Sequence, residues 1–199
     1  MEPLITLILL TITLTATGQI FSSKAALTFY PGTNIDTEYR YTDSTGMDVI
    51  VQNSVRKGGQ YIDPSGKEFF HAIYWYRVIN ESSAPLELTI NFPADSFATV
   101  PSPDSYLKVF LPSDTMTLDK ENLYAFGATG LKSFLDSGLK KSTTLQRTIA
   151  HKGACLFYIG ALYYKAFAPA YAALVIRDQD VFYSIGGLEI PCGKIVFKN

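Results

Sequence analysis

Hydrophobic and polar positions alternate with a period of two through much of the chain, the spacing of strands half buried against a core. The clearest run is Leu86 to Phe92, where Leu86, Leu88, Ile90 and Phe92 share one face, Glu87, Thr89 and Asn91 the other, and Pro93 stops the strand. Ile35 to Tyr41 repeats the pattern, with Ile35, Thr37, Tyr39 and Tyr41 opposite Asp36, Glu38 and Arg40. After the turn residues Asp43-Ser44-Thr45-Gly46, the run Met47 to Val55 continues it with Met47, Val49 and Val51 inward, and Gly58-Gly59 is expected to end it. Phe69 to Ile79 is aromatic and β-branched on both faces, which predicts a strand covered from both sides. Further strands are expected at Tyr106 to Leu111, Ala154 to Lys165, Ala172 to Arg177, Val181 to Ile185 and Lys194 to Lys198, and Pro93 to Pro103 reads as a loop. One segment carries a helical period: Leu131, Phe134, Leu135 and Leu139 form a stripe, with Thr129 as the expected cap and Gly138 near its end. It is expected to pack over an end of the sheets.

This succession predicts an all-β chain, an antiparallel β-sandwich with one short connecting helix, because a single helix cannot supply repeated βαβ crossovers. The stretch Arg77 to Pro93, RVINESSAPLELTINFP, resembles the strand, polar turn and strand of secreted immunoglobulin-like modules. The resemblance implies that Asn80 and Ser82 close the turn and that Pro85 opens the next strand. It spans about a tenth of the chain and implies an immunoglobulin-like architecture but no activity.

The start of the chain changes the expected compartment. An apolar run from Leu4 to Leu14 is followed by Ala16 and Gly18 at the spacing of a cleavage site, so residues 1–18 read as a signal peptide and 19–199 as a single domain. Glu2 and the lack of Lys or Arg before the run are unusual for such a leader. Pro3 to Thr17 is shorter than the roughly 20 apolar residues of a spanning helix, so no stable membrane span is expected after cleavage. The expected location is the periplasm, the cell surface or the medium. There, Cys155 and Cys192 are the only candidates for a disulfide; the alternative is two buried thiols.

Composition narrows the partners. Of 199 residues, 47% are hydrophobic, 14% aromatic and 18% charged, which describes a folded core rather than a disordered tail. A net charge of -1 removes the attraction that non-specific nucleic-acid binding needs. The most basic stretch, Lys132 to Lys152, reads as a solvated face. No phosphate loop, zinc helix, nucleophile elbow or EF-hand occurs, so no cofactor, metal or catalytic residue is assigned. Asp178 with Asp180, and Asp43 with Asp48, read as solvated turn residues rather than Ca²⁺ ligands. His151 and Cys155 are separated by roughly 13 Å if the intervening backbone is extended, too far for a nucleophile and its base.

The remaining candidate is the aromatic strand, where His71, Trp75 and Arg77 recur on one face. If the opposite face packs the core, these three present an aromatic platform with flanking donors to a sugar ring or a partner's side chain. The competing reading places the only tryptophan in the core. The function expected is a non-enzymatic exported module holding a glycan or protein partner, or a structural part of an exported assembly. A carrier of a small apolar ligand and an exported hydrolase are the alternatives.

Overall fold

The structure is a computed structural model and describes residues 21–22, 33–43, 46–99 and 104–198. Its strands in chain order are β1 (Phe21–Ser22), β2 (Ile35–Asp43), β3 (Asp48–Ser54), β4 (Lys57–Ile62), β5 (Glu68–Asn80), β6 (Leu86–Phe92), β7 (Phe97–Ala98) and β8 (Tyr106–Phe110). They are followed by β9 (Thr143–Ile149), β10 (Ala154–Tyr164), β11 (Ala172–Arg177), β12 (Asp180–Ile185) and β13 (Leu188–Phe197). Between β8 and β9 lies a connector with two 3-10 turns, Leu118–Lys120 and Tyr124–Gly127, and the helix α1 (Leu131–Ser137). The fold is all-β and antiparallel. One sheet runs β1-β2-β3-β5-β10-β8-β7, with β4 also on β5; the other runs β11-β12-β13-β6-β9. No helix among the described residues is long and apolar enough to cross a membrane. The leader expected at 1–18 lies outside the described residues.

β5 organises the first sheet. It pairs with β10 along one edge, while β3 and β4 share its other edge, β3 against the C-terminal part and β4 against the N-terminal part. At the break between them, the Ser54 hydroxyl accepts the backbone N–H of Trp75 at 2.8 Å and so replaces a missing ladder bond. Gly58 and Gly59 do not end a strand as expected but lie inside β4. A Cβ at Gly58 would fall 2.1 Å from the His71 carbonyl oxygen, so this close approach of two backbones requires glycine.

Both faces of β5 are buried, as its composition predicts. Ala72, Tyr74, Tyr76 and Val78 face the second sheet and pack with Leu88, Ile90, Phe92, Leu174, Tyr183 and Ile195. The opposite face carries Ile73 and Trp75, which join Phe110, Tyr158 and Leu162 beneath Met116, Phe126, Leu131 and Leu135 of the connector. The connector is therefore a third layer on the outer face of the first sheet, not a cover over its end. An apolar face of this size must be removed from water, and the connector brings the apolar side chains that do it.

The helical stripe of Leu131, Phe134, Leu135 and Leu139 faces this second core as predicted. Its cap differs: Gly130 holds the cap position, and Thr129 instead donates its N–H and its hydroxyl to the Asp114 carboxylate at 2.9 and 3.0 Å. Ahead of α1, Ala125, Phe126 and Gly127 take the left-handed conformation, with φ of 44°, 53° and 69°. This costly geometry turns Phe126 fully into the core. Its carbonyl accepts the Tyr158 hydroxyl at 2.6 Å, and the Lys57 ammonium stands 4.4 Å from its ring centroid.

Between β5 and β6 the chain passes from one sheet to the other. Asn80 Oδ1 accepts the backbone N–H and the hydroxyl of Ser82 at 3.1 and 2.6 Å, and β6 begins directly after Pro85. Strands β1, β4, β7 and β9 escaped the pattern of alternation. β9 is an edge strand with Thr144, Gln146, Arg147 and Thr148 exposed, and Arg147 interrupts the face on which Leu145 and Ile149 meet the core, so alternation is broken. β13 begins well before Lys194: Pro191 sits opposite Phe182 of β12, while pairing with β6 covers only Gly193 to Phe197, which leaves room for a proline.

Candidate binding site

His71, Trp75 and Arg77 do share the outer face of β5, but they form no exposed platform. Trp75 is 0% exposed, His71 is 6% exposed and Arg77 is half buried. The apolar residues between and beside them draw the connector over this face. Both ring nitrogens of His71 and the indole nitrogen of Trp75 are buried without a hydrogen-bond partner. Burial holds the His71 pKa below the ordinary histidine value, the nearby Gly59 backbone opposing this only in part.

The disulfide expected between Cys155 and Cys192 is not formed. Cys155 lies on β10 and Cys192 on β13, in different sheets, and both are free thiols packed with the core between the sheets. Burial pushes both thiols up, Cys192 to about 12, which favours their protonated form. His151 belongs to the turn before β10, where its Nδ1 donates to the Ser82 carbonyl and so does not serve Cys155.

Where the outer face runs beyond the connector, four neighbouring strands bring four rings into one row. Tyr61 of β4 is opposite Phe69 of β5, and Tyr164 of β10 is opposite Tyr106 of β8. Ring centroids along the row are 6.0 Å apart for Tyr61 and Phe69, 5.4 Å for Phe69 and Tyr164, and 5.2 Å for Tyr164 and Tyr106. Opposed residues of antiparallel strands point to the same face, so this is a continuous aromatic surface. Tyr61 itself is nearly covered; its hydroxyl donates to Asp136 of α1 at 2.7 Å, and burial first, then this bond, raises its pKa well above the tyrosine range.

A cation stands on the row. The Lys67 ammonium is 3.6 Å from the Tyr164 centroid and 5.3 Å from those of Phe69 and Tyr106, with the Tyr106 hydroxyl 3.3 Å away. The turn between β4 and β5 places it: the Asp63 carboxylate accepts from the Ser65 hydroxyl, the Ser65 N–H and the Lys67 N–H at 2.6, 2.9 and 2.9 Å. These bonds, the Ser65 hydroxyl foremost, hold the Asp63 pKa below the ordinary carboxylate value. Lys165 places a second ammonium 5.3 Å from the Tyr164 centroid.

Beside the row is a recess of about 780 Å³ whose walls include Lys67, Phe69, Tyr164, Lys165 and Phe167. Part of its rim is Lys165 to Phe167, the start of the loop that runs on to Tyr171 and that the fold grips from below. Ser105 Oγ donates to Lys165 O at 2.7 Å, Tyr74 Oη to Pro169 O at 3.0 Å, and Arg56 to the carbonyls of Ala168 and Pro169. With its backbone held, the loop presents Phe167 90% exposed and Tyr171 63% exposed. Rings, two nearby ammonium groups and an apolar rim suit the recognition of a ligand that has both an apolar face and polar groups.

Sequence reasoning passed over this row because its members come from four strands, one of which escaped notice. The doublets Phe69-Phe70 and Tyr163-Tyr164 were the available signal, since antiparallel pairing of the strand that starts with one and the strand that ends with the other sets them side by side. Comparison of the chain with family models, curated proteins and solved structures finds no match.

Proposed function

We propose that this chain is an exported, immunoglobulin-like β-sandwich module that binds a saccharide at the aromatic row and carries out no catalysis. The observation that carries the reading is the row of Tyr61, Phe69, Tyr164 and Tyr106 beside an open recess. The C–H face of a pyranose packs against such rings while its hydroxyl groups remain free for the lysines and the solvent. The two packed antiparallel sheets and the Asn80–Ser82 turn support the immunoglobulin-like part of the reading. Export rests on the composition of residues 1–18.

The test is calorimetric titration of the protein with panels of neutral and charged oligosaccharides, repeated on Tyr164→Ala. Binding by the wild type that weakens at least about tenfold in the variant, equivalent to about 1.4 kcal/mol, supports the reading. A panel without a binder, or a binder indifferent to Tyr164→Ala, overturns it.

A second reading has its own observation. The exposed ring of Phe167 on a loop held by Arg56 and Tyr74 has the character of a preformed anchor for a partner protein. A partner bound in this way loses affinity with Phe167→Ala and keeps it with Tyr164→Ala, the reverse of what a sugar stacked on the row requires.

A further inference from the structure

We infer that the saccharide this site takes is anionic, carrying a carboxylate or a sulfate; the inference rests on the saccharide reading and names its substrate class. Lys67 and Lys165 place two ammonium groups against the single ring of Tyr164. Two positive charges within 5.3 Å of one ring centroid raise the local potential, and a negative group bound beside that ring is attracted by both.

Asp63 and Asp136 are committed to other partners, and Glu68 lies on the other face of its strand. Asp63 is engaged by three hydrogen bonds within its own turn. Asp136 accepts from Tyr61 and from Lys132, both at 2.7 Å. Glu68 borders the recess but alternates to the opposite face of β5 from Phe69. Lys165 approaches Asp104 at 3.6 Å with both side chains more than half exposed, a pair that contributes little and exchanges readily. Lys67 forms no direct ion pair among the described residues: its ammonium lies against rings and the Tyr106 hydroxyl, and the Asp63 carboxylate of its own turn acts on it only as a nearby charge.

A ligand carboxylate or sulfate supplies what Lys67 lacks, a charge-assisted hydrogen bond at a partly desolvated site, while the sugar ring lies against Phe69, Tyr164 and Tyr106. The site then combines two recognitions that neither element provides separately. Stacking selects a ring, and the lysine pair selects its charge.

The experiment compares one oligosaccharide backbone with and without its charge. Oligogalacturonate and its fully methyl-esterified form are titrated into the wild-type protein at low and at high salt, with a sulfated oligosaccharide of similar length as a further arm. The free acid is expected to bind at least about tenfold more tightly than the ester at low salt, and this preference shrinks as salt screens it. Lys67→Gln and Lys165→Gln bring the acid towards the affinity of the ester and so shrink the preference between them, whereas Tyr164→Ala weakens both and keeps the preference. A sulfated ligand that binds while the uronate does not identifies the anion as sulfate. Equal binding of acid, ester and sulfated sugar, or an acid preference that survives both lysine substitutions, overturns the anionic inference and leaves saccharide binding standing. No binding by any of the three removes both. The comparison of acid with ester uses wild-type protein, so it stands even where a variant folds poorly.

Discussion

Asn80 shows how much one side chain can hold. Fully buried where β5 ends, it donates to the carbonyls of Ala84 and Ile149 at 2.8 and 2.9 Å and accepts twice from Ser82. It thereby ties the turn into β6 to the end of β9. Asn80→Ala removes the acceptor of the Ser82 N–H and the amide donor to the Ile149 carbonyl, while Ala84 O keeps the Ser82 hydroxyl, and a loss of roughly 1–3 kcal/mol is expected for leaving such groups unsatisfied. Denaturant unfolding measures it, and an unchanged midpoint means that water replaces the amide without cost. The pattern of polar residues marked a turn here, and the structure adds that the amide also joins distant segments. For His71, Trp75 and Arg77, alternation placed them correctly on a common face. What alternation does not carry is whether another layer lies over that face, because the covering residues, Phe126 and Leu135 among them, are distant in sequence.

Among the elements, β10 and the connector are coupled through a glycine. Gly160 lies opposite Phe110 of β8, and a Cβ there would meet the Phe110 ring at 2.4 Å. That ring is fully buried and stacks on Phe134 of α1 with centroids 4.7 Å apart. Gly160→Val therefore pushes Phe110 against the helix, and an overpacking cost of roughly 1–3 kcal/mol is expected. Hydrogen exchange distinguishes this from a general loss of stability: amides of α1 should lose protection more than those of β6, which borders only the core between the sheets. Uniform loss would mean that the third layer is not separately docked. Strands that border the main core on one face were readable as alternation. The edge strand β9, whose core-facing Leu145 and Ile149 are separated by Arg147, and the glycine-containing β4 were not, since their places depend largely on pairing with neighbours.

For the molecule as a whole, acidity probes the covered face. Folding lowers the pKa of His71 through burial, so the unfolded chain binds the proton more readily than the native one. Stability is then level above the unfolded histidine value of about 6.5 and declines as pH falls below it. His71→Phe is expected to flatten that decline, measured by denaturant unfolding between pH 7.5 and about 5. A wild-type profile that stays level across this window would show that the imidazole finds a partner when charged. The depressed carboxylates of Asp63, Glu81, Asp136 and Glu189 act in a separate, more acidic window, where stability is lost as they protonate.

Strand class, most strand positions, the single helical stripe and the turn at Asn80 follow from local order along the chain, because a period of two and a turn residue act over a few neighbours. The pairing of two sheets, the third layer above Trp75, the free state of two thiols on opposite sheets and the row from Tyr61 to Tyr106 come from contacts between segments far apart. Those contacts are set by the total apolar surface that must leave water, a quantity that belongs to the packed molecule and that no short stretch of sequence contains.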